Sequence, residues 1–201
     1  MAVVVEHEKR KHEILAKSLD LFIDEGYEDV TFQKIADRCG ITRTTLYIYF
    51  QNKREIFIWS IKELTQSLEV RLRELIADES LSSIDCLNSV LDVILDSCES
   101  NKKLFKILLV YLIQIQKTGE NAGKRISRRV IRLKHLLNVI LIRGQEAGEI
   151  VRYPIKTIID MIYSLLESSV FRLAVAGDES LDESRALFHS FIENLRNTKS
   201  A

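Results

Sequence analysis

A single proline, Pro154, and only seven glycines in 201 residues leave this chain few places where a helix must stop. Proline lacks an N–H and clashes with the preceding turn, and glycine loses the most backbone freedom on ordering. Between these sparse breaks, apolar residues recur at three- and four-residue spacing, as in Ile14, Leu15, Leu19, Phe22 and Ile23. The strict alternation of a half-buried strand is nearly absent. The pattern predicts an all-α protein. A hydrophobic content of 46% supports a sizeable core, and the length suits one large domain or two small ones.

The breaks divide the chain into segments. Residues 1–8 are expected to fray. A first helix is predicted from about Lys9 to Glu25, ended by Gly26-Tyr27. Two short helices flank Cys39-Gly40-Ile41. A fourth starts after Asn52, with Glu55 three residues on at capping-box spacing, and runs to about Ala77. Further helices are predicted over about Ser82–Glu99, Lys102–Lys117, Asn121–Ala147, Pro154–Ala176 and Leu181–Asn197, with Asn101, Gly119, Gly148 and Gly177 as breaks. Pro154 suits a first helical turn, where its missing N–H costs nothing.

The stretch TFQKIADRCGITRTTLYIYFQNKREIF, Thr31 to Phe57, carries the functional signal. Thr31 and Thr42 can each cap a helix, because a threonine hydroxyl accepts from an orphan backbone N–H. Gly40 tolerates the left-handed conformation that ends one helix and turns the chain into the next. Leu46 and Phe50 anchor the second helix. This is the layout of a helix-turn-helix whose second helix enters the major groove. Thr42, Arg43, Thr44, Thr45, Tyr47 and Tyr49 are the candidate DNA contacts. Arg43 alone among them can pair bidentately with guanine O6 and N7. Tyr47 and Tyr49 can offer hydroxyls to phosphates, or serve as partly buried packing residues. Gln33 and Lys53 can clamp the backbone on either side, and the plain alternative for Lys53 is a solvated surface lysine.

Residues 14–57 resemble the DNA-binding domain of the tetracycline-repressor (TetR) family of transcriptional regulators. Ile14-Leu15-Ala16 with Leu19, Phe22, Gly26 and Tyr27 resembles the family's first helix and its exit. Thr31, Ile35-Ala36 and Gly40-Ile41 resemble its second helix and turn. Thr45-Leu46-Tyr47 with Tyr49-Phe50, then Asn52-Lys53 and Glu55, resembles the recognition helix and the start of helix 4. Thr44 stands where glycine is frequent, and Cys39 where alanine is frequent. The resemblance implies nine helices in two domains. Residues 1–52 would form a three-helix DNA-binding domain, and residues 53–201 a ligand-binding and dimerisation domain. It also implies that ligand in the larger domain shifts helix 4.

The helix over 154–176 is apolar across a wide arc, including Ile155, Ile158, Ile159, Ile162, Leu165, Leu166, Val170 and Leu173. A two-fold partner would bury the surplus. Ile162, Leu166, Val170, Leu187 and Phe191 are the candidate interface residues. The alternative is a helix central to its own monomer. Tyr111, Gln114, His135, Asn138, Tyr163 and Glu167 interrupt apolar faces in the larger domain, as a ligand pocket requires. Each taken alone is more simply read as a surface or satisfied core position. A hydrophobic effector is expected, with a cationic one second because of Glu167, unless His135 or Arg132 pairs with that carboxylate.

The net charge of zero excludes a uniformly basic nucleic-acid binder, but charge is segregated along the chain. Residues 63–100 hold nine acidic and two basic residues, and residues 101–156 hold thirteen basic and three acidic. Adjacent helices that neutralise one another account for this most simply. Cys39, Cys86 and Cys98 form no CxxC pair and read as buried thiols in a reducing compartment. No leader segment and no apolar run of membrane-spanning length is visible, so a soluble cytoplasmic protein is expected, with no membrane partner. The four histidines are scattered, and no phosphate loop, HExxH or GxSxG occurs, so neither an enzyme nor a cofactor or metal is expected. The sequence predicts a ligand-responsive repressor that binds a palindromic operator as a homodimer. The alternative is a helical adaptor using the basic segment Lys124–Lys134 on an acidic partner or membrane surface.

Overall fold

The computed structural model describes residues 2–117, 122–177 and 179–198, and the side chains among them apart from 2–4, 112 and 114–131. Among the described residues nine α-helices follow in order: α1 (Ala2–Glu25), α2 (Phe32–Cys39), α3 (Arg43–Tyr49), α4 (Lys53–Ala77), α5 (Ser83–Ser100), α6 (Lys102–Lys117), α7 (Ala122–Glu146), α8 (Ile155–Phe171) and α9 (Asp182–Glu193). The all-α expectation stands. The break expected at Gly119 lies outside the described residues.

Three boundaries differ from expectation. Helix α1 begins at Ala2 rather than Lys9. Nothing in residues 2–8 stops a helix, and the His7 ring finds a partner in Tyr49, stacked at 4.6 Å. Helix α8 ends at Phe171, and Arg172–Ala176 continue as a π-helical turn. The Gly177 N–H closes that turn on the Arg172 carbonyl at 3.1 Å. The last helix stops at Glu193 rather than near Asn197. There the chain leaves the helix to pair with the loop before α8: Val151 N–H donates to Leu195 O, and Asn197 N–H to Glu149 O, each at 2.8 Å.

The chain forms two compact units, Met1–Ser67 and Leu68–Ala201. The division falls inside α4, whereas sequence reasoning placed a boundary at its start. The reason is visible in α4's first turns. Ile56 and Phe57 are fully buried, and the Ser60 hydroxyl lies 3.0 Å from the Leu15 carbonyl. The smaller unit's core joins Ile14, Leu15, Phe22, Val30, Ile35, Leu46, Phe50 and these α4 residues. The Phe22 and Phe57 rings meet edge-on at 5.0 Å, and Tyr27 closes on both.

In the larger unit α5 is central, packed on α7 and α9. Its Leu87, Val90 and Leu91 are fully buried with Leu137, Ile140 and Leu141 of α7. Gly144 permits the closest approach. A Cβ there would stand 2.5 Å from Ile150 Cδ1 and 2.8 Å from Ser83 Cβ, so any side chain forces these segments apart. The acidic face of α5 is answered mostly from α9. Arg185 donates to Asp92 and Asp96 at 2.7 Å each, and His189 lies 3.0 Å from Asp92. Glu69 takes both Arg73 and Arg132, which hold its carboxyl below the ordinary glutamate value. Of the pairing expected between residues 63–100 and 101–156, the described side chains show Arg132 with Glu69, whereas the acids of α5 are met by Arg185 and His189 from the acidic C-terminal part of the chain.

Candidate nucleic-acid interface

The second and third helices owe their geometry to three residues. Thr31 adopts an extended conformation, and its hydroxyl accepts from Lys34 N–H at 3.2 Å, which starts α2. Gly40 stands at φ +67. Its N–H donates to Asp37 O at 3.1 Å, and the next N–H, of Ile41, reaches back to Ala36 O at 3.0 Å. This pair of bonds is a Schellman closure, which needs a left-handed residue after the helix. Two residues on, the Thr42 hydroxyl accepts from Thr45 N–H at 3.0 Å and starts α3. The turn expected from the sequence is present bond for bond.

The rotation of α3 about its axis follows from its anchors. Leu46 and Phe50 are fully buried, and Thr45 and Tyr49 are half-buried beside them. Arg43, Thr44, Tyr47 and Ile48 remain exposed. At 3.6 residues per turn these four occupy one continuous arc opposite the anchors. Tyr47 is 50% exposed, its ring against Phe32 at 4.6 Å. Its hydroxyl accepts from Arg43 Nη2 at 3.2 Å, and the guanidinium lies over the ring. The arginine is therefore held against an exposed tyrosine by one hydrogen bond and one ring contact.

The other candidates divide. Thr42 and Thr45 share a hydrogen bond of 2.8 Å between their hydroxyls, so the pair is partly committed to the turn. Gln33 is exposed on α2 and its amide donates to Asp37 at 2.8 Å. Tyr49 lies at the flank under His7, an arrangement hidden from a reading in which residues 1–8 fray. Lys53 is put to a different use from the expected phosphate contact. Its ammonium donates to the carbonyls of Tyr27, Glu28 and Val30 at 2.9, 3.0 and 2.9 Å, and sits 4.7 Å from the Tyr27 ring centroid. Three donors meet three carbonyls, leaving none for a phosphate. Sequence reasoning missed Ile48, which is 68% exposed on the same arc as Arg43. An apolar residue off the helix's buried face was the available signal.

Positive charge near this surface is largely absorbed within the unit. Lys34 pairs with Glu25 at 2.6 Å, Arg38 with Asp24 at 3.4 Å, and Lys62 sits 3.9 Å from the Trp59 ring centroid.

In the larger unit the expected ligand residues differ in exposure. Tyr111 is buried, and Asn138 and Tyr163 are half-buried, but His135 and Glu167 are exposed. The side chain of Gln114 lies outside the described residues. Arg132 is engaged with Glu69 rather than Glu167. Burial and the neighbouring Glu167 raise the Tyr163 hydroxyl above the usual phenol value. The expected dimer residues also divide. Ile162 and Leu166 belong to the unit's own core, and Val170 packs half-buried against it. Leu187 is 56% exposed. Together with Phe191, Met161 and Leu165 it lines an apolar hollow of about 710 Å³ between α8 and α9. Residues one helical position away from Ile162 and Leu166 face outward, so a wide arc serves core and surface at once. No helix among the described residues is long and apolar enough to cross a membrane. The expected basic surface Lys124–Lys134 falls mostly on side chains outside the described residues.

Residues 14–58 match the family profile of bacterial regulatory proteins, tetR family. The chain is 27% identical over 133 residues to the nucleoid occlusion factor SlmA of Vibrio cholerae serotype O1, and the alignment spans 66% of this chain and 66% of that one, just under two thirds. Among solved structures, a TetR transcription regulator from Haloarcula marismortui is similar with a TM-score of 0.83 at 18% identity, covering 94% of this chain and 99% of that one. The transcriptional regulator FadR from Bacillus subtilis, in complex with stearoyl-CoA, is similar with a TM-score of 0.71 at 22% identity, covering 92% and 96%. At these identities the structural likeness speaks for the fold.

The Lys53 staple generates a test. Lys53→Met keeps the side-chain stem and removes three charge-assisted hydrogen bonds. Urea unfolding of the full chain should show a loss of about 1.5–3 kcal/mol. Unchanged stability together with weakened binding to all DNA sequences would return Lys53 to the phosphate role.

Proposed function

We propose that this chain, whose residues 14–58 match the tetR family profile, is a TetR-family transcriptional regulator that represses transcription by binding a two-fold symmetric operator as a homodimer and is released by a small hydrophobic effector. The observation that carries this reading is the exposed arc of α3, where Arg43, Thr44 and Tyr47 stand together on the side opposite the buried anchors. A short capped helix that presents polar side chains in this way fits the major groove. Arg43 leaves Tyr47 to pair with a guanine, and Tyr47 and Tyr49 offer their hydroxyls to phosphates. Phosphate contacts set the register and base contacts the sequence preference.

Two-fold pairing would bury the face formed by Met161, Leu165, Leu187 and Phe191. Exposed apolar area that no part of the same unit covers favours an isologous partner. The effector is read as hydrophobic. The motive for a cationic ligand weakens because Glu167 lies at the surface. The stearoyl-CoA bound by the FadR neighbour supports a long acyl chain as the first class to try. Tyr111 and the half-buried Asn138 and Tyr163 are the polar groups proposed to orient it.

Selection from random DNA should enrich a two-fold symmetric sequence. Arg43→Ala should bind the enriched sequence about 1–3 kcal/mol more weakly and lose preference at one base pair per half-site. Intact discrimination in that variant would remove Arg43 from base reading. Met161→Glu with Leu187→Glu should yield a folded monomer by light scattering and circular dichroism, since the dimer would bury four unpaired charges. A wild-type monomer at micromolar concentration would refute the pairing. Long-chain acyl-CoA at a hundred times its dissociation constant should stabilise the chain by about 2.7 kcal/mol in thermal unfolding and dissociate the enriched DNA. Stabilisation without dissociation would make the molecule a ligand but not the signal.

A further inference from the structure

We infer that Ile48 is a base-reading residue that recognises thymine by its 5-methyl group, an inference that rests on the proposed DNA-binding role of α3. Arg43, Thr44, Tyr47 and Ile48 form the exposed arc of that helix, and Ile48 is the most exposed of its apolar residues at 68%. The helix has two other aliphatic or aromatic anchors, Leu46 and Phe50, and both are buried to within 1%. Among the described residues of the smaller unit, the exposed large hydrophobics are Val5, Tyr47 and Ile48. Two of the three stand side by side on the face turned away from the core. Tyr47 has its ring against Phe32 and its hydroxyl on Arg43. Ile48 lies beside Tyr47 in sequence and one turn after Thr44, whose methyl group is on the same side of the helix.

Isoleucine has no donor and no acceptor. It cannot distinguish the hydrogen-bonding edges of the four base pairs. In the major groove the one apolar feature that marks a base is the thymine 5-methyl. An isoleucine in that groove is therefore selective for T·A through burial of this methyl, and Thr44 can add its own methyl beside it. Ile48 lies five residues after Arg43, about 7.5 Å along the helix axis. Base pairs are stacked at about 3.4 Å. The thymine should therefore lie in the same half-site as the guanine paired with Arg43.

Deoxyuridine tests this directly, because it removes the methyl and leaves every hydrogen-bonding atom in place. The sequence enriched by wild-type protein is resynthesised with each thymine replaced in turn by deoxyuridine. One position per half-site should weaken wild-type binding about fourfold, the effect of burying one methyl-sized group. Ile48→Ala should bind thymine and deoxyuridine at that position equally, and a selection with this variant should lose the preference for T·A there alone. Ile48 is exposed, so the variant should melt at the wild-type temperature. The deoxyuridine series with wild-type protein stands even if it does not. Equal wild-type affinity for every deoxyuridine sequence overturns the inference. So does an undiminished thymine preference in Ile48→Ala, which would place the methyl against another residue. If wild-type protein enriches no sequence at all, the operator-binding reading fails first and the role of Ile48 falls with it.

Discussion

The left-handed turn at Gly40 is the constraint on which the exposed face of α3 depends. It ends α2 by two backbone bonds, Gly40 to Asp37 and Ile41 to Ala36, and delivers the chain to Thr42, whose hydroxyl begins α3. A residue with a Cβ at φ +67 would be strained there. Once the turn is set, α3 has one way to bury Leu46 and Phe50. Its seven residues then have no freedom left about which side they show. Arg43, Thr44, Tyr47 and Ile48 face outward because two residues face inward.

Charge near this surface works differently from what its sequence balance suggests. Residues 30–62 are net positive, yet Lys34, Arg38 and Lys53 are each engaged with carboxylates or carbonyls of the first helix and the loop after it. These bonds hold the unit together rather than project a field. Lys53 shows the difference most clearly. An ammonium surrounded by three carbonyls closes the loop over residues 27–30, and that loop carries Tyr27 into the ring cluster with Phe22 and Phe57. On the proposed reading, groove recognition rests on shape, Arg43 and apolar contact more than on a lysine-rich patch.

The larger unit shows how one helix serves two surfaces. Along α8, Ile158, Ile162 and Leu166 belong to the core, with α7 and α9 packed on the helix, and Met161 and Leu165 line the hollow shared with Leu187 and Phe191. Positions that differ by a single residue have opposite environments, since each step turns the helix by about 100°. The wide apolar arc contains both core residues and residues lining an exposed hollow. The sequence alone does not separate the two, because a hydropathy pattern contains no indication of which half of the arc meets the rest of the same chain.

Much of this protein is legible in the sequence because it depends on local physics. Caps at Thr31 and Thr42, the turn at Gly40 and the helices themselves follow from backbone bonding within a few residues, and the near-absence of proline and glycine decides that the fold is helical. Tertiary structure alone decided the rest. Lys53 meets carbonyls more than twenty residues away, and His7 meets Tyr49 across more than forty. Arg132 turns to Glu69, which leaves Glu167 at the surface without it. Polar side chains find partners by proximity in space, and a long charged side chain reaches several equally good acceptors until packing selects one. The interruption of an apolar face by Tyr111, His135, Asn138, Tyr163 and Glu167 thus marked where polar groups occur, while only the packing of α7 and α8 determined which of them turn toward the core.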